Sequence, residues 1–156
     1  GAALLQLAFR PGSGAAAAFV LDVLAWDAEL EAWIKELLVS ELPKLVFGQG
    51  DAERLGMTLC NARDLQKGSS SLAAHAREAG LLLQKPKHLQ AADWSQRPLR
   101  DELVVYAATD ALVLLELDGL GAGAGSAGQA VKAQPQASGS RQATVEYTGV
   151  FLSAES

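Results

Sequence analysis

Apolar and polar positions along this chain follow two rhythms, a short strand-like one and a longer helical one. Ala3 to Phe9 is a compact apolar run with strand character. Arg10-Pro-Gly-Ser-Gly14 is turn chemistry, and Ala18 to Leu24 is a second apolar run, so the two read as a hairpin. Behind Asp27, which suits an N-cap, the period changes. Leu30, Trp33, Ile34, Leu37 and Leu38 recur at helical spacing over Ala28 to Ser40, and Pro43 stops that helix. Lys44 to Gly48 reads as a buried strand. Gly48-x-Gly50 then turns the chain tightly into Asp51 and a further helix. Leu59 to Leu65 is another strand, ending near Asp64. Ser71 starts a helix over Leu72 to Ala79, with Gly80 as its C-cap. Lys85 to Gln96 is polar and reads as a loop. Arg97-Pro-Leu opens the last helix, whose inner face carries Leu103, Tyr106, Ala107, Asp110, Val113, Leu114 and Leu117.

Past that helix the pattern stops. Gly119 to Ser140 is Gly, Ala, Ser and Gln with almost no large apolar side chain, the composition of a flexible linker. Ala143 to Leu152 is β-like again. The expected organisation is one α/β domain over 1–118, a linker over 119–141, and the start of a second domain or a tail over 142–156. At 156 residues and 49% apolar, the chain can bury a core.

Its net charge of −5 excludes a global basic field for nucleic acid. Distribution changes that picture. Arg77, Lys85, Lys87, Arg97 and Arg100 face only Glu78 and Asp93 in the same stretch, either a phosphate-contacting strip or a solvated loop with scattered charge. Cys60 is the only cysteine, which rules out an intrachain disulfide and fits an intracellular, reducing compartment of unspecified kind. It reads as a small core residue. Neither His75 nor His88 has a partner at metal-ligand spacing, and Trp26 and Trp33 read as packing residues. Asp22 and Asp27 interrupt the longest apolar region, so no membrane span is read, and no signal peptide is evident.

The candidate chemistry is Tyr106-x-x-x-Asp110. Residues four apart share a helix face, so a phenol and a carboxylate leave one rod together. A carboxylate can hold a divalent metal and a phenol can orient a metal-bound water, which suggests metal-assisted hydrolysis. Asp51 follows a glycine-rich turn and is read either as a helix cap or as a metal ligand.

Three pieces, in order, resemble the 3'-5' exonuclease domains of the ribonuclease D and Werner type. Leu4-Leu-Gln-Leu-Ala8 is similar to that family's second strand. Lys44-Leu-Val-Phe-Gly-Gln-Gly-Asp51 is similar to its second motif. Trp94-x-x-Arg97-Pro98-Leu99 with Tyr106-Ala-Ala-Thr-Asp110-Ala111 is similar to its third. The resemblance implies a ribonuclease-H-like mixed sheet with flanking helices. It also implies two divalent ions, Mg or Mn, about 4 Å apart. Asp110 would hold the nucleophile-side ion, Asp51 would serve the second, largely through water, and Tyr106 would hydrogen-bond the attacking water. Lys85 and Arg97 would support the site or bind phosphate. The implied partner is DNA or RNA with a free 3' end, and the product a nucleoside 5'-monophosphate.

The family's first motif, Asp-x-Glu on a central strand, does not precede Gly1-Ala-Ala-Leu-Leu. The chain therefore reads as a fragment lacking that strand. Little or no catalysis is expected from it, and Leu4 to Ala8 would form an exposed, aggregation-prone edge. The alternative is a non-catalytic nucleic-acid-binding or scaffolding domain of the same fold.

Overall fold

The computed structural model describes residues 3–10, 15–48, 50–122 and 150–152, without the side chains of Asp51, residues 120–122 or residues 150–152. Most of the stretch read as a linker lies outside these residues.

Strand β1 (Leu4–Phe9) and strand β2 (Ala17–Asp22) form the expected antiparallel hairpin, Leu4 opposite Asp22 and Phe9 opposite Ala17. The second strand ends at Asp22 rather than Leu24. Asp22 Oδ1 accepts the N–H of Leu24 at 3.0 Å, a local turn that draws the backbone out of the ladder. Every residue of β1 is buried. Leu5, Leu7 and Phe9 meet Ile34, Leu37, Leu38 and Val46, while Leu4 packs with Tyr106 and Ala8 with Ala111 and Leu114. Successive side chains take opposite faces of a strand. A strand covered on both faces needs apolar residues throughout, hence the unbroken run in the sequence.

Helix α1 (Ala28–Val39) starts where Asp27 Oδ1 accepts the N–H of Leu30 at 2.8 Å. Glu29 and Glu31 sit in its first turn, where the helix dipole favours negative charge. Ile34, Leu37 and Leu38 are buried, and Trp26 packs against the same core. Trp33 does not pack as expected: it is 46% exposed, one position off that stripe.

Strand β3 (Lys44–Val46) runs parallel to strand β4 (Ala62–Asp64), and on its other side parallel to strand β5 (Val150–Leu152). β4 is shorter than the expected Leu59 to Leu65. Ahead of it, Asn61 has a φ of 50° and the Cys60 N–H bonds Leu38 O at 2.9 Å, so α1 holds that backbone instead of β3. β5 also lies along β1. Residues 150–152 of the stretch expected to open a further domain thus add to this sheet, the rest of that stretch lies outside the described residues, and the β1 edge expected to be bare has a neighbour.

Lys44 Nζ is caged by carbonyls, donating to Ser40 O at 2.6 Å, Leu42 O at 2.8 Å and Cys60 O at 3.0 Å. Three acceptors match the three N–H groups of an ammonium. Burial dominates and pushes the amine below the ordinary lysine range, with Cys60 and Glu41 acting in the other direction.

Four helices complete the described fold: α2 (Gly50–Arg54), α3 (Leu72–Glu78), α4 (Lys87–Gln90) and α5 (Asp101–Ala122). α4 lies inside the stretch read as loop, and at four residues is too short to show a period. Arg97-Pro-Leu does not open the last helix. The Arg97–Pro98 peptide is cis, and the helix begins at Asp101, with Leu103 and Val104 donating to Arg100 O at 2.9 and 3.1 Å. α5 continues to Ala122, into the stretch read as linker. α1 covers one face of the strands and α5 the other, a mixed α/β arrangement that sets the inner face of α5 against β1 and β3.

Candidate active site

α5 presents Tyr106 and Asp110 one turn apart, as the spacing predicts, and both are buried, at 6% and 2% exposure. Leu4, Leu103, Ala107 and Trp94 pack around Tyr106. The Trp94 and Tyr106 rings lie 5.7 Å apart at 50°. Trp94 belongs to the loop after α4, so the Trp94-x-x-Arg97 stretch and the helix that follows it fold back into one cluster. Thr109 donates its hydroxyl to Val105 O at 2.7 Å and lines the same side.

Lys85 joins this cluster from the segment between α3 and α4. Its Nζ pairs with Asp110 Oδ2 and sits 4.8 Å from the centroid of the Tyr106 ring. Burial, the largest single influence, lowers its pKa, but the charge and hydrogen bond of Asp110, helped by Tyr106, prevail, and the amine is held above its ordinary range. It is cationic at every physiological pH.

A cavity of about 550 Å³ runs along this face of α5. Tyr106, Thr109 and Asp110 are among its lining residues. Leu82, Pro86, Leu89 and Val105 supply apolar walls, and Asp101 and Glu102 bring negative charge from the first turn of the helix.

The other expected site residues are placed differently. Asp51 lies in the first turn of α2, the helix that follows β3, where a first-turn Asp can serve either of its two readings. The loop before it is tied down by Asp64, whose Oδ1 accepts the N–H of Gly48 and of Gln66, each at 2.9 Å. Gly48 has a φ of +88°, which suits glycine, and a Cβ there would come within 3.1 Å of Gln66 Oε1. Arg97 makes a two-pronged ion pair with Asp22 and donates to Trp94 O at 2.9 Å, Gln96 O at 2.8 Å and Ala3 O at 3.3 Å. Its guanidinium therefore clasps the hairpin to the loop before α5.

Two residues escaped the sequence reading. Gln6 is fully buried in β1, and its side-chain amide has no hydrogen-bond partner among the described residues. Leu4 and Ala8, two positions either side, both pack on α5, so Gln6 faces that helix as well. A lone amide in Leu4-Leu-Gln-Leu-Ala8 was the available signal. Lys44 is the other, a charge inside what reads as a strand.

Residues 51–119 match the family model described as a 3'-5' exonuclease. The match takes in Asp51, Lys85, Arg97, Tyr106 and Asp110, and bears out the exonuclease resemblance of the motifs. The mixed α/β fold is compatible with the ribonuclease-H-like type. Neither the comparison with curated proteins nor that with solved structures gave a match. The family points to a hydrolase acting on nucleic acid. Exonucleases of this kind generally use divalent metals. Among the described residues, however, no three His, Cys, Asp or Glu side chains gather as a metal-binding group. The buried carboxylate of Asp110 is bonded to an ammonium instead. The described donor set thus does not fit a two-ion centre. Among the described residues no helix is long and apolar enough to cross a membrane.

Proposed function

We propose that this chain is the body of a 3'-5' exonuclease domain that receives the 3' end of a DNA or RNA strand in the cavity beside Tyr106 and Asp110. The reaction of such a domain is phosphodiester hydrolysis with Mg or Mn, releasing nucleoside 5'-monophosphates. The observation that carries the reading is that Tyr106 and Asp110, inside the matched segment, line one cavity.

The chain's own residues support binding more fully than turnover. The apolar walls of Leu82, Pro86, Leu89 and Val105 suit the sugar and base of a terminal nucleotide. Asp101 repels phosphate, while Glu102 is paired with Arg100, so the cavity takes the uncharged end of a strand in preference to its backbone. The Tyr106 phenol can orient a hydrogen-bonding group near the scissile position. The Asp110–Lys85 pair favours the second reading, a nucleic-acid-binding domain of the same fold without catalysis.

The test is fluorescence anisotropy with 5'-labelled single strands ending in a 3'-hydroxyl or a 3'-phosphate, alongside mononucleotide release in Mg and in Mn. We expect tighter binding of the 3'-hydroxyl strand and little release. Equal affinity for the two ends overturns 3'-end recognition, and brisk release overturns the expectation of weak turnover.

A further inference from the structure

We propose that Lys85 is a built-in counter-ion for Asp110, a tethered ammonium that holds the carboxylate where a divalent cation would otherwise bind. The inference takes from the exonuclease reading only the identity of the competing ion.

Asp110 is a carboxylate with 2% exposure on a helix face shared with Tyr106, Ala107, Ala111 and Leu114. A carboxylate placed there needs a compensating charge. Lys85 supplies it, with 17% of its own side chain exposed, and the Tyr106 ring 4.8 Å away gives the ammonium a second favourable surface. The tether is short and specific. Lys85 lies between Gln84 and Pro86, both of which line the cavity that Asp110 also lines. A metal ion approaching Asp110 through that cavity meets an ammonium already on the carboxylate oxygen. Two cations cannot share that oxygen at low cost in so dry a place, so the ion binds only by displacing Lys85. A lysine on a flexible four-carbon stem can be displaced where a forked guanidinium would resist. The Asp110–Lys85 pair as folded is therefore neutral, and Asp110 is closed to cations until Lys85 leaves.

The experiment is a Mn(II) titration of the full chain, followed by electron paramagnetic resonance of free Mn(II). It compares the native protein, Lys85→Met, and Lys85→Met combined with Asp110→Asn. Lys85→Met should bind Mn(II) at least about tenfold tighter than the native chain, because the competing charge is gone. The double variant should lose that gain. Equal affinity of native chain and Lys85→Met overturns the proposal, as does a gain that survives in the double variant. Should Lys85→Met fail to fold, the native protein decides alone. Acetylation of Lys85, read by mass spectrometry, should speed up several-fold when Mn(II) is added, as the amine is released from Asp110. An unchanged rate overturns the proposal. Binding of strands ending in a 3'-hydroxyl or a 3'-phosphate is measured separately. Metal binding gained without a preference for the 3'-hydroxyl end leaves Lys85 as the counter-ion and removes the exonuclease reading instead.

Discussion

Arg97 shows how a charge legible in sequence changes meaning once its neighbours are known. It stands in a basic stretch, but Asp22, from the far end of the hairpin, takes its guanidinium. Lys85 is likewise taken by Asp110, and Arg100 pairs with Glu102 at 2.5 Å. Three of the five cations in the stretch are thus matched by acids, two of those from distant elements, and the apparent phosphate strip is largely neutralised. The Arg97 hydrogen bond holds Asp22 below the ordinary carboxylate value of 3.8, against the effect of burial. A carboxylate whose folded pKa is depressed adds stability that is present above its unfolded value and lost as pH falls through its folded one. We therefore expect part of the acid sensitivity of the fold below about pH 4 to disappear in Arg97→Ala, measured as the difference in thermal midpoint between pH 7 and pH 3. At neutral pH the same substitution should cost about 1–2 kcal/mol, since a partly exposed ion pair contributes little but three backbone carbonyls lose a donor as well. An unchanged midpoint at pH 7 would show that the clasp contributes nothing to folding.

At the level of elements, what could be read in advance was whatever is encoded locally. α1 was legible because Asp27 caps it and Ile34, Leu37 and Leu38 repeat at its period. α3 was legible for the same reason, with Ser71 accepting the N–H of Ala74 at 3.2 Å. Its far end is a complete hydrogen-bonded cap: Gly80 N–H to Arg77 O at 3.0 Å and Leu81 N–H to Ala76 O at 2.8 Å, with Leu81 packed on Ala76. Gly80 has a φ of +78° and open space where a Cβ would go, so only backbone strain opposes a side chain there. Gly80→Ala should cost about 1 kcal/mol in chemical denaturation, with an unchanged denaturant slope. No loss of stability would mean that the cap relaxes without penalty. α4 was not legible, because four residues hold no period; tertiary burial of Leu89 fastens it instead. The true start of α5 escaped for a related reason. Pro98 is compatible with a first helical turn, but the loop that carries it is committed to Asp22 and Ala3 through Arg97.

In the molecule as a whole, the decisive contact is the one longest in sequence. β5 pairs with β3 in parallel, Lys44 opposite Val150, and lies along β1. Removing residues 150–156 should expose the edges of two strands buried throughout, and unpaired apolar edges associate. We expect the shortened chain to self-associate on size-exclusion chromatography with light scattering, and to melt earlier than the full chain. A monomer with an unchanged midpoint would show that β5 is dispensable.

The local signals were enough for the hairpin, for α1 and α3, and for the shared face of Tyr106 and Asp110. Each depends on spacings within about a dozen residues, where backbone geometry alone relates one side chain to another. The pairing of Asp110 with Lys85, of Arg97 with Asp22, and of β5 with β3 links positions 25, 75 and about a hundred residues apart. No local periodicity records such distances. Burial decides them, because a carboxylate set into an apolar core takes whichever cation the fold brings within reach.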